Sequence, residues 1–318
     1  MTLAIDLTLF ILASILLIGS SSFVVKSLVI LARFLRMTEF VIAFILMAIS
    51  TSLPELFVGI NAALTRNASL ALGNVIGSNI VDLTLIMGIT IVLAKGIPVK
   101  NPFIRADALW MTGIAALPVM LTILGRELSR TDGIILLGVF AWYVWFLMYK
   151  RSSFPHLFKN HISHWRGLAS LVVFAVSSTV LFFSAKLIVK YGTALAVDLN
   201  LPRIFIGLFF VALGTSLPEL AFGAISILRR HAQLNVGNVM GSVVANSTLI
   251  LGITSVIQPI AADYLLFMTS SLFMIFVCFL FATFVESGRK LSWKEGIALI
   301  FVYVLFLLVE LNVHQFRV

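Results

Sequence analysis

Two glutamates stand 164 residues apart in the same local setting. Glu55 closes Thr51-Ser52-Leu53-Pro54-Glu55, and Glu219 closes Thr215-Ser216-Leu217-Pro218-Glu219. A second shared element, Gly-Asn-Val-x-Gly-Ser, follows at 73–78 and at 237–242, and four residues after each of its serines come Asp82 and Asn246. Proline has no N–H and clashes with the carbonyl four residues earlier in a helix. The carbonyls of Ser50 and Gly214 should therefore lose their helical partners. Each copy offers a carboxylate, threonine and serine hydroxyls and released backbone oxygens. Ser78 and Asp82, like Ser242 and Asn246, fall on one helix face. Such an all-oxygen inventory suits hard cations such as Ca2+ and Na+. Mg2+ dehydrates reluctantly and fits less well. Soft metals would want thiolates or thioethers and Zn2+ would want histidine. Cys278 is the single cysteine, and no histidine falls at the centre of an apolar run.

The elements that carry these residues are membrane spans. Of 318 residues, 61% are hydrophobic and 11% charged, against about 45–50% and 25% in soluble domains. Disorder and a soluble domain are excluded by that balance. Apolar runs of the roughly 20 residues needed to cross a bilayer occur at 5–32, 40–64, 69–94, 103–124, 131–149, 167–197, 204–228, 234–258, 263–285 and 292–312. The first lacks a basic leader and a cleavage signal and is read as a retained span. The expected fold is an all-α polytopic membrane protein with ten transmembrane helices. Glu55, Asp82 and Glu219 lie deep in these runs, with Glu310 near the end of the last. A charge at mid-bilayer costs at least ~2.5–3.5 kcal/mol. Lys26, Lys186 and Lys190 lie in long spans where their stems can snorkel to an interface. A lone glutamate could be protonated and hydrogen-bonded between helices; two matched ones argue for a shared cation. The glycines at 73, 77, 237 and 241 read as close-packing positions, and Asn74 and Asn238 as either interhelical links or ligands.

Residues 48–89 and 212–253 align without gaps, and 22 of their 42 positions are identical. Shared hydrophobicity cannot produce matched Thr-Ser-Leu-Pro-Glu-Leu strings, so the chain is an internal duplication. Each copy begins five spans after its partner. Five is odd, so the second half enters the membrane upside down, giving a 5+5 inverted-topology repeat. Such repeats place a shared site near the midplane between the halves. The expected division is 1–150 for the first five-helix repeat (motif region 48–89), 151–166 for a basic cytoplasmic connecting loop, and 167–318 for the second repeat (motif region 212–253). The loops after odd-numbered spans carry 14 Lys and Arg, those on the opposite side five. The positive-inside rule then places both termini outside the cytoplasm, in a bacterial inner membrane or an archaeal plasma membrane.

At these motifs the chain resembles the calcium/cation antiporter superfamily, specifically sodium/calcium exchangers of prokaryotic type. The resemblance implies that two long, tilted spans, the first and the sixth, slide across a rigid body of eight helices to alternate access. It implies Glu55 and Glu219 as central bridging carboxylates for Ca2+, with the carbonyls of Thr51 and Thr215 beside them as further metal ligands. Ser52, Ser78, Asp82, Ser216, Ser242 and Asn246 would complete flanking sites, and the carbonyls of Ala48 and Ala212 would support Na+. Better-known prokaryotic exchangers resemble this flanking pair with the acid in the second repeat and the amide in the first. Asp82 and Asn246 are swapped here, which preserves net charge. Ser50 also replaces the glycine seen at Gly214. No long regulatory loop is present, unlike in the animal exchangers.

These readings converge on a secondary antiporter that exports Ca2+ in exchange for Na+, with no cofactor and no covalent chemistry. A Ca2+/H+ antiporter of the same fold is the alternative, since protons compete for carboxylate oxygens. The proton-coupled branch resembles a pattern with histidine beside the acidic motif, absent at Ser78 and Ser242. K+ dependence is left open. A channel fits a pseudo-two-fold pair of glutamates in one chain less well than occlusion does. An intramembrane enzyme would need a nucleophile with a base, and Ser52 and Ser216 have none at motif spacing. The formal charge of +9 belongs to loops at a lipid surface, so no nucleic-acid partner is expected and no obligatory protein partner is inferred.

Overall fold

Prolines and small polar residues set where the helices of this chain break. The computed structural model describes residues 3–34, 47–99, 102–149, 163–199, 201–228, 232–261, 264–288 and 290–315. The first half runs through α1 (Leu3–Phe34), α2 (Met47–Thr51), α3 (Leu53–Leu64), α4 (Ala68–Val81), a π-helical turn (Asp82–Ile86), α5 (Met87–Leu93), β1 (Ile97–Pro98), α6 (Pro102–Gly125) and α7 (Arg130–Tyr149). The second runs through α8 (His164–Asp198), α9 (Arg203–Ile206), a π-helical turn (Gly207–Val211), α10 (Ala212–Thr215), α11 (Leu217–Leu228), α12 (Ala232–Ala245), a π-helical turn (Asn246–Ile250), α13 (Leu251–Ile257), α14 (Tyr264–Ser287), β2 (Lys290–Leu291) and α15 (Trp293–Gln315).

Among the described residues nine helical stretches are long and apolar enough to cross a membrane. The expected span 40–64 is described from Met47 onward, as α2 and α3, and the connecting stretch 151–166 from Ser163. The duplication extends through the architecture. Chain breaks fall at Ser52 (φ −84°, ψ 6°) and Ser216 (φ −82°, ψ 0°), each two residues before its proline. The π-helical turns beginning at Asp82 and Asn246 are likewise equivalent. The halves pack on one another symmetrically: α5 of the first lies against α15 of the second, α13 of the second against α7 of the first, and α6 against α14 across the pseudo-two-fold. The two halves are also tied at short antiparallel pairings, Ile97 with Leu291 and Leu128 with Ile260.

α1 and α8 pack along one another. At 35 residues, α8 is about 52 Å long at 1.5 Å per residue, well over a ~30 Å hydrocarbon core, long enough to cross at a tilt or to extend past the core. The seam buries small residues seven apart, Ala13, Ser20 and Ser27 on α1 with Ser170, Ser177 and Ser184 on α8. The hydroxyls of Ser20, Ser27 and Ser184 donate to carbonyls of their own helices, so no hydroxyl of these three crosses the seam. The outer faces show Leu, Ile, Val and Phe, as expected toward lipid. The larger apolar core runs instead through α4 to α7 and α12 to α15.

Gly73 and Gly77 on α4 make a close approach possible. A Cβ at Gly73 would lie 2.1 Å from the Ile204 carbonyl oxygen, and one at Gly77 2.1 Å from that of Leu208. Backbone therefore meets backbone where α4 crosses α9 and the following π-helical turn, next to the paired motifs.

Candidate ion-binding site

Both Thr-Ser-Leu-Pro-Glu segments are broken helices. Pro54 and Pro218 occupy the first turn of α3 and α11, where a missing N–H is tolerated. The glutamates therefore project from the first turn, near the positive end of the helix dipole. Glu55 and Glu219 are fully buried, as is Asp82, and each of the glutamates lies within electrostatic reach of the other and of Asp82. They face the protein interior, not lipid. Lys26, Lys186 and Lys190 are exposed on the long helices, as snorkelling requires, so their charges are not inside the site.

Two hydroxyl contacts repeat with the symmetry of the chain. Thr51 Oγ1 and Ser242 Oγ are 3.2 Å apart, and their equivalents Thr215 Oγ1 and Ser78 Oγ are 3.3 Å apart. Ser78 Oγ also donates to Glu55 Oε1 at 3.4 Å. Thr51 lies close to Glu219 and Ser216 close to Asp82, neither at hydrogen-bonding geometry. Thr215 Oγ1 donates to Asn74 Oδ1 at 3.1 Å, which makes Asn74 an interhelical link. The carbonyl of Ala48 accepts the Ser52 N–H at 3.1 Å and the Thr51 hydroxyl at 3.3 Å; that of Ala212 accepts the Ser216 N–H at 3.0 Å and the Thr215 hydroxyl at 3.3 Å. These oxygens lie beside the site's hydroxyls, and the hydroxyl contact each accepts is long, the one Thr215 hydrogen being shared between Ala212 and Asn74.

Five of the six carboxylate oxygens of Glu55, Asp82 and Glu219 have no protein hydrogen-bond partner, nor do the hydroxyls of Ser52 and Ser216. An unsatisfied buried polar atom costs ~1–3 kcal/mol, more when charged. The arrangement is therefore rich in acceptors and poor in donors, which is the chemistry of a cation site. Among the described residues no three His, Cys, Asp or Glu side chains cluster closely enough to hold a metal by themselves. Hydroxyl and carbonyl oxygens would have to contribute.

Sequence reasoning missed several buried polar residues. Asn79 accepts from Asn246 Nδ2 at 3.1 Å; Val243 holds its place in the second repeat, so comparing repeats hides it. Asp6 and Asp107 are buried as well, and Asp107 accepts from the Tyr143 hydroxyl at 2.9 Å. Glu310, unlike these, is marked in the sequence near the end of the last span; it is buried and accepts from Ser270 at 2.9 Å. The acids at 107 and 310 sit near span ends in the sequence, where burial depends on which helices pack around them. They lie outside the duplicated motif.

Comparison with known proteins agrees with this geometry. The chain matches the sodium/calcium exchanger protein family over residues 5–149 and 169–312, stretches that begin 164 residues apart. Sodium/calcium exchanger MaX1 of Methanosarcina acetivorans is 28% identical, over 96% of this chain and 99% of its own. A putative antiporter, CaxA of Alkalimonas amylolytica, is 30% identical, over 80% and 82%. The structure of the sodium-calcium exchanger NCX_Mj soaked with Na+ and Sr2+ superposes with a TM-score of 0.68 at 25% identity, covering 96% of this chain and 98% of that one. With a match across most of both halves, this chain, a multi-pass membrane transporter and not an enzyme, belongs to the sodium/calcium exchanger protein family.

Proposed function

We propose that the protein exports Ca2+ in exchange for Na+ by alternating access around the Glu55–Glu219 site. The observation that carries this reading is the pseudo-symmetric set of buried acceptor oxygens. Glu55 and Glu219 bridge Ca2+, with the backbone carbonyls of Thr51 and Thr215. Ser52, Ser78, Asp82, Ser216, Ser242 and Asn246 form flanking positions that take Na+, with the carbonyls of Ala48 and Ala212. Three carboxylates can balance one divalent ion or several monovalent ions, which suits alternate occupancy. The relatives named as sodium/calcium exchangers support the same pairing of ions.

Motion is required because Glu55, Asp82 and Glu219 are fully buried. We assign that motion to α1 and α8, which pack along one another and whose buried Ser20, Ser27 and Ser184 hydroxyls donate within their own helices, so a shift breaks none of these three bonds. The two repeats, 1–150 and 167–318, joined by a cytoplasmic loop at 151–166, would place both termini outside the cytoplasm of a cell membrane.

Everted membrane vesicles test this reading. Ca2+ accumulation should be driven by an outward Na+ gradient. Accumulation driven by a pH gradient and indifferent to Na+ would favour Ca2+/H+ exchange, and downhill flux without counter-ion would favour a channel.

A further inference from the structure

Asn79 is fully buried on α4, between Ser78 and Asp82 in sequence. Its Nδ2 donates to Ser247 Oγ at 2.9 Å and lies 3.3 Å from Met274 Sδ. A thioether sulfur only accepts, so the donor end of Asn79 belongs on that side. Its Oδ1 is left to accept Asn246 Nδ2 at 3.1 Å. A carboxamide is a donor at one end and an acceptor at the other. With its nitrogen committed to Asn79, Asn246 presents Oδ1, which is buried and has no protein partner. The reverse orientation would aim N–H groups at an approaching cation.

We propose that Asn79 is a positioning residue that fixes the Asn246 carboxamide with its oxygen toward the ion site, thereby setting the affinity for Na+. The inference rests on the proposed role of Asn246 in a flanking site. The repeats differ here in a way that fits. Asp82 has two equivalent oxygens and needs no such partner, and the position equivalent to Asn79 in the other repeat is Val243. The amide-bearing repeat takes its orienting contact from the acid-bearing one.

The test is the Na+ and Ca2+ dependence of exchange by the full-length chain in proteoliposomes. Losing one orienting hydrogen bond corresponds to roughly a three- to tenfold effect. Asn79→Val should raise half-saturating Na+ by that factor and leave half-saturating Ca2+ within about twofold. In an Asn246→Ala background the same substitution should add nothing. In an Asn246→Asp background, where both side-chain oxygens are equivalent, it should again leave half-saturating Na+ nearly unchanged. If Asn79→Val fails to assemble in the membrane, Asn79→Ala carries the same expectations. The proposal is overturned if the Na+ shift persists undiminished beside Asn246→Ala, if Na+ and Ca2+ weaken together, or if Asn246→Ala weakens Na+ while the Asn79 variants do not. If Asn246→Ala leaves Na+ dependence untouched, the flanking-site reading of Asn246 falls, and this inference with it.

Discussion

Thr51 of the first repeat and Ser242 of the second meet at 3.2 Å, and their counterparts Thr215 and Ser78 at 3.3 Å. Each contact joins the broken-helix motif of one half to the Gly-Asn-x-x-Gly-Ser motif of the other. The site is thus assembled between repeats, and neither half holds a complete copy.

Glu55 and Glu219 should be separately indispensable. Glu55→Gln and Glu219→Gln keep shape but lose charge, and a bond to a charged group is worth ~1.5–3 kcal/mol, or about 10- to 150-fold. Na+-driven Ca2+ uptake in everted vesicles should fall by at least that factor in either variant. Near-normal uptake in one of them would mean that the two halves do not share one ion.

Moving the flanking acid from one repeat to the other should be tolerated better than losing it. Asp82→Asn alone and Asn246→Asp alone each alter the site's charge and should impair exchange. The double variant Asp82→Asn with Asn246→Asp restores net charge at pseudo-equivalent positions. Its Ca2+ uptake should exceed that of both single variants, because Coulomb energy in a low-dielectric site outweighs local fit. An equally inactive double variant would sink this argument.

Close backbone packing under the site makes Gly77 intolerant of a methyl group. A Cβ would lie 2.1 Å from the Leu208 carbonyl oxygen, whereas at Gly113 it would meet nothing within 4 Å. Overpacking costs typically ~1–3 kcal/mol, so Gly77→Ala should lower the thermal unfolding midpoint of the detergent-solubilised protein, while Gly113→Ala leaves it unchanged or raises it. Equal midpoints would contradict the close crossing of α4 and the π-helical turn at Gly207–Val211.

The Tyr143–Asp107 contact should serve stability alone. Tyr143→Phe leaves a buried acceptor short of one bond, at a cost of ~1–3 kcal/mol. The unfolding midpoint should drop, with half-saturating Ca2+ and Na+ unchanged. A selective change in ion dependence would place this pair in the transport path.

Much of this protein was legible in one sequence. Where both ends are described, the helical stretches differ from the expected spans by no more than three residues, because bilayer thickness fixes their length and apolar composition marks them. The duplication exposed Glu55 and Glu219 since a charged residue repeated at membrane depth is too costly to be incidental. Tertiary structure decided the rest. The pairing of Thr51 with Ser242 depends on how the halves dock, as does the place of the glutamates in the interior. The π-helical turns at Asp82 and Asn246 have no signature in apolar patterning. Asn79 was invisible because it works across the repeats on a partner that has no twin, and burial of Asp107 and Glu310 comes from neighbouring helices that periodicity along one strand of sequence cannot report.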